Sequence, residues 1–192
     1  MAFERTKTCC FTGHRPAKLP WGDDERDPRC LALKQSILRE LERLYRKGYR
    51  HFISGMALGC DLYFAEAVLA LKERYPAITL EAALPFPGQA DRWSGFNRAR
   101  WQRILESCDL ETVVQEHYDR WCMLRRDRYM VERSAAVLAV FDDSPGGTKY
   151  TLDCAAKARL DILLLDLNHP TAPATHTQPE KYENISFFPV DN

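Results

Sequence analysis

Residues 136–148 read AVLAVFDDSPGGT, and this stretch decides the fold. Ala136 to Phe141 is a continuous apolar run, as in a strand buried on both faces of a parallel sheet. It breaks into Asp142-Asp143-Ser144-Pro145-Gly146-Gly147-Thr148, a turn-forming segment, and helical residues resume from about Lys149. A second apolar strand, Asp161 to Asp166, follows that helix. Strand, helix and strand in this order make a βαβ unit, because parallel neighbours must be joined by a crossover.

The same alternation extends back to the start of the chain. Thr8 to Thr12, His51 to Ser54, Thr79 to Leu84 and Glu111 to Gln115 read as four further strands. Between the first two, Leu33, Ile37, Leu38, Leu41, Leu44 and Tyr45 recur at helical spacing until Gly48 stops them. The next helix, about Asp61 to Arg74, is apolar on more than one face, which predicts deep burial. Trp101, Ile104, Leu105 and Cys108 mark a third helix, and an Arg-rich helix spans Met123 to Arg133. The expectation is an α/β, three-layer, Rossmann-like, doubly wound fold, its mainly parallel sheet of about six strands carrying helices on both faces. One domain should occupy 1–166. Periodicity is lost beyond it, so 167–192 reads as a C-terminal surface tail, pinned by Phe187 and Phe188.

With 192 residues the chain suits one core better than two. Its 27 basic and 27 acidic side chains cancel, which weighs against nucleic-acid binding through a broad basic face. No apolar run approaches the roughly 18 residues of a membrane span, and Met1 to Thr8 lacks a signal-peptide core, so a cytoplasmic protein with no membrane partner is expected. The seven cysteines form no C-x-x-C pair; they read as reduced, mostly buried residues, with no metal site and no required cofactor.

Chemistry-bearing residues gather behind strand ends. Thr12, Gly13, His14 and Arg15 follow the first strand, Ser54, Gly55, Met56, Gly59 and Asp61 the second, Pro85 and Phe86 the third, and Asp142, Gly146, Gly147 and Thr148 the fifth. In a parallel sheet all these loops share the carboxyl edge, where open α/β folds bind ligands. Glycines there let an anion approach the backbone, and the following helix offers unpaired N–H groups. The competing reading of Gly146-Gly147-Thr148 is a strand-to-helix turn with a Thr cap. Arg15 is either a phosphate fork or a solvated arginine. Glu66, set among apolar neighbours, needs a partner, either an internal donor such as Arg15 or a ribose hydroxyl of a ligand. Phe86, Trp93 and Tyr129 are near enough to loops to stack on a base, or else they pack. Arg125-Arg126-Asp127-Arg128 either serves a phosphate chain or forms a solvated helix face. Neither G-x-G-x-x-G nor a Walker A motif is present, which disfavours ordinary NAD binding and P-loop ATP hydrolysis.

Taken together, Thr12-Gly13-His14-Arg15, Ser54 to Asp61 with Glu66, and Gly146-Gly147-Thr148 with Tyr150 resemble the YpsA-like branch of the SLOG superfamily. Leu84-Pro85, Gln89, Trp93, Arg126 to Ser134 and Leu138 to Asp142 extend the likeness over roughly Cys9 to Asp166. The resemblance implies a Rossmann-like fold shared with LOG-type phosphoribohydrolases and the DNA-processing protein DprA. It also implies a bacterial protein that binds or senses nucleotide-derived ligands, and a link to cell division. LOG-type enzymes carry P-G-G-x-G-T-x-x-E; here Lys149 and Tyr150 stand in place of Gly and Thr, and Asp153 in place of the catalytic Glu. Three functions follow as expectations. The first is a binder or sensor of a nucleotide or nucleotide-derived phosphate ligand. The second is an N-glycosidase acting on a nucleoside monophosphate, with Glu66 or Asp153 catalytic. The third is DprA-like binding of single-stranded DNA. A homo-oligomer is compatible with all three.

Overall fold

The computed structural model describes residues 3–177. Six parallel strands, β1 (Thr8–Thr12), β2 (His51–Ser54), β3 (Thr79–Leu84), β4 (Leu110–Val113), β5 (Ala136–Phe141) and β6 (Asp161–Asp166), form one sheet with a short antiparallel strand, β7 (Thr175–Thr177). Their order is β4-β3-β2-β1-β5-β6-β7. The chain therefore leaves β1 to one side through β2 and returns to its other side as β5, so the switch point lies between β1 and β5.

Alternation along the strands sends side chains into two cores. Cys9 and Phe11 of β1 and Leu138 of β5 join Leu33 and Ile37 of α1 (Pro28–Arg46), Phe64 of α2 (Cys60–Arg74) and Ile104 of α3 (Gly95–Ser107). Cys10, Val137 and Ala139 point the other way, to Met130 and Val131 of α4 (Cys122–Glu132) and Leu152 and Ala155 of α5 (Gly147–Lys157). Three helices thus cover one face and two the other, and the doubly wound Rossmann-like architecture holds. α1 starts where Asp27 accepts the Arg29 N–H at 2.7 Å with Pro28 in its first turn, and it stops before Gly48.

Four details differ from the expectation. The sheet has seven strands, and the seventh falls inside 167–192, read above as a surface tail. Three mostly exposed residues carry no alternating pattern; backbone hydrogen bonds to β6 make the strand, helped by Glu40 accepting the Ala174 N–H at 3.2 Å. Phe187 and Phe188 lie outside the described residues. The fourth strand runs Leu110–Val113 rather than to Gln115, and α5 begins at Gly147, two residues before Lys149. The second shift places the glycine pair at the helix start itself. Among the described residues, no helix is long and apolar enough to cross a membrane.

Candidate functional site

A cavity of about 320 Å³ opens at the carboxyl ends of β1 and β5. One wall is the β1 exit, Thr12 to Arg15, continued by Lys18; the opposite wall is Gly146, Gly147 and Thr148 at the start of α5. Asp61 from α2 and Arg126 and Asp127 from α4 line it as well, with Met123 and Leu124 as its apolar side. Across the switch point, His14 Nε2 lies 2.7 Å from Asp142 Oδ1, and Lys18 reaches over to Ser144 Oγ (3.3 Å) and the Pro145 carbonyl. Burial works against the Asp142 charge, but hydrogen bonds from Ser144 and His14 outweigh it and hold the carboxyl down at about 2.

The first two loops close on each other before they meet the cleft. Gly59 adopts φ +86°, and a Cβ there would lie 2.8 Å from the His14 carbonyl, so glycine is required by both backbone conformation and contact. The Cys60 N–H donates to that carbonyl, and Gly13 packs on Cys60. Ser54 Oγ accepts from the Met56 N–H and donates to the Asp61 carbonyl, with both side chains fully buried. Ser54, Gly55, Met56 and Gly59 therefore shape the floor from beneath.

Arg126 occupies that floor. It is 4% exposed, donates to the Gly55 carbonyl and to Asp127 Oδ1 (2.8 Å), and stands 3.8 Å from Asp61 Oδ2. Gln89 donates to the same carbonyl at 3.1 Å. Burial pushes the Asp61 carboxyl up to about 6, with Arg126 and the Ala57 N–H pulling back; burial raises Asp127 in the same way. A folded-state value above the unfolded one contributes stability that is complete in acid and lost as pH rises through about 6. Between pH 5 and pH 8 wild-type protein should thus lose on the order of 1 kcal/mol from Asp61, the earlier part of the loss falling between about pH 4 and pH 5. Asp61→Asn, which keeps an acceptor for the Ala57 N–H, should flatten that slope in thermal melts. Glu81 and Asp142, both held below the ordinary range, do not titrate in this window. Equal slopes in variant and wild type would contradict the assignment.

The structure moves several candidates away from the cleft. Glu66 is clamped by Arg100 at 2.6 Å through both oxygens, with Glu25 on the same guanidinium, so its partner is internal and is not Arg15. Asp153 pairs with Lys149 at 3.0 Å one helical turn away. Both carboxylates considered for catalysis therefore sit outside the cavity, because each had a cation on its own side of the sheet. Pro85 is buried behind β3, and Phe86 meets Tyr118 edge-on at 5.3 Å. Trp93 packs on Trp101, and the Tyr129 hydroxyl donates to Glu81. Of the stretch Arg125 to Arg128, Arg125 and Arg128 are solvated while Arg126 and Asp127 turn inward. Arg126 shares spacing with the buried Cys122 and Met130, a signal that sequence reading had available. Lys18 carried no such signal.

The family model YpsA, described as the YspA SLOG family, matches residues 9–167. A UPF0398 protein of Halalkalibacterium halodurans is 30% identical over 128 residues, covering 65% of this chain and 68% of its own. The SPbeta prophage-derived protein YoqJ of Bacillus subtilis (strain 168) is 33% identical over 159 residues, covering 76% and 92%. Among solved structures, DNA processing protein A from Helicobacter pylori, described for its single-stranded DNA binding mode, superposes with a TM-score of 0.57. It is 16% identical and covers 93% of this chain and 71% of that one, a likeness of fold.

Proposed function

The chain belongs to the YpsA SLOG family, and from that premise we propose that its switch-point cleft binds a nucleotide or nucleotide-derived phosphate ligand. One observation carries the reading: Arg15, Lys18 and the uncapped start of α5 converge on a single cavity between β1 and β5. A helix start offers N–H donors and a positive dipole end, and the arginine adds a bidentate fork. Ribose and base would then extend along Met123 and Leu124, which supply the apolar side.

Isothermal calorimetry with AMP, ATP, ADP-ribose and cyclic nucleotides tests this directly. Arg15→Ala should weaken the ligand that binds by roughly 10- to 150-fold, the worth of a charge-assisted hydrogen bond of about 1.5–3 kcal/mol. Folded wild-type protein that binds none of them at millimolar concentration would overturn the proposal.

A specific observation also favours single-stranded nucleic acid as a second reading. Tyr118 is 69% and Trp121 39% exposed, and Arg120 lies over the Trp121 ring at 4.6 Å, beside the first turn of α4. Bases stack on such surfaces. A mobility-shift titration with oligothymidine at low salt separates the readings: a complex lost in Trp121→Ala supports the second, and absence of any complex removes it.

A further inference from the structure

Three cations, Arg15, Lys18 and Arg126, line the cleft against two carboxylates, Asp61 and Asp127. Asp61 and Asp127 are spent on Arg126 and on the Ala57 N–H at the floor, and Asp142 on His14 and the Ser144 N–H. Arg15 and Lys18, both exposed at the mouth, have no carboxylate within ion-pair distance among the described residues. Lys18 is held by neutral oxygens alone, Ser144 Oγ and the Pro145 carbonyl.

Its position is electrostatically adverse as it stands. A Cβ built on Gly146 would lie 3.0 Å from Lys18 Nζ, so the ammonium rests against the residue that caps α5. That helix start has no side-chain cap and no acidic residue in its first turn. A cation facing the positive end of a helix dipole is disfavoured unless an anion stands between them. Two unpaired side-chain cations and a helix start therefore face the same space.

We propose that Lys18 is a ligand-binding residue that makes the cleft selective for a phosphate group or groups carrying two negative charges, the ammonium leaving the Pro145 carbonyl for the anion as it enters. This rests on the reading of the cleft as a phosphate site and narrows its ligand class. A terminal phosphomonoester and a bridging pyrophosphate both carry that charge; a cyclic phosphodiester carries half of it and leaves one cation unmatched.

The test titrates the ribonucleoside 5′-monophosphates, their 3′,5′-cyclic counterparts and ADP-ribose into wild type, Lys18→Met and Lys18→Arg at fixed ionic strength. Wild type should bind a dianionic ligand about tenfold or more tighter than the cyclic form of the same nucleoside. Lys18→Met should erase that preference and Lys18→Arg keep it, and neither should melt below wild type, because the side chain is exposed and its charge faces the positive end of α5. Tighter binding of a 5′-monophosphate than of ADP-ribose identifies the terminal ester, and the reverse order identifies the bridge. Cyclic nucleotides binding as tightly as monophosphates, or a preference that survives in Lys18→Met, overturns the charge inference alone. Failure of every ligand to bind wild type brings down the phosphate site itself.

Discussion

Gly55→Ala should lower stability by about 3–5 kcal/mol, the cost of breaking a buried ion pair. The new methyl would sit 1.9 Å from Arg126 Nη1 and 2.4 Å from its Cζ, so the guanidinium must leave. Leaving breaks its bonds to the Gly55 carbonyl and Asp127 and strands two buried carboxyls, Asp61 and Asp127, without a counter-charge. For a domain of this length the melting temperature should fall by about 10 °C. The loss should be smaller at pH 5 than at pH 8, because the stranded carboxyls then protonate. A melting temperature within a degree or two of wild type at pH 8 would show that Arg126 relocates without cost.

Gly147→Asp is the converse case, a large loss of binding with the fold intact. The nearest heavy atom to a Cβ at Gly147 is Asp127 Oδ2 at 4.0 Å, and its backbone needs no left-handed conformation. An aspartate in the first turn of α5 suits the helix dipole while its carboxylate stands near that of Asp127, so melting should stay close to wild type. Yet its carboxylate would occupy the anion's place, and nucleotide affinity should drop by about 100-fold or more. Gly147→Ala should bind nearly as wild type. If Gly147→Asp also binds normally, the ligand's phosphate does not lie at the start of α5.

Both glycines were read from the sequence as able to admit a ligand, Gly55 with close packing of its turn as the alternative and Gly147 with a plain strand-to-helix turn. Gly147 faces open space at the cleft. Gly55 instead faces the side chain of Arg126, from a helix more than seventy positions further along the chain, which no local pattern announces. The same limit applies to Glu66: the sequence states that it needs a partner, and only packing shows that Arg100 supplies it.

What the sequence determined by itself is the succession of elements and the edge at which the special loops meet. Apolar runs with period two or none, and helical runs of three-to-four spacing, are properties of a few neighbouring residues, and backbone geometry converts them locally into strands and helices. Once the strands are parallel, every loop that follows one lies on the same side. The tertiary structure alone decided the strand order around β1, the addition of β7 and the meeting of Arg126 with the Gly55 carbonyl. It also decided the place of Lys18 over the start of α5. Each of these depends on which distant segments come together: hydrogen-bonded edges and buried charges are satisfied by whatever the fold brings within about 3 Å, and distance along the chain carries no information about that.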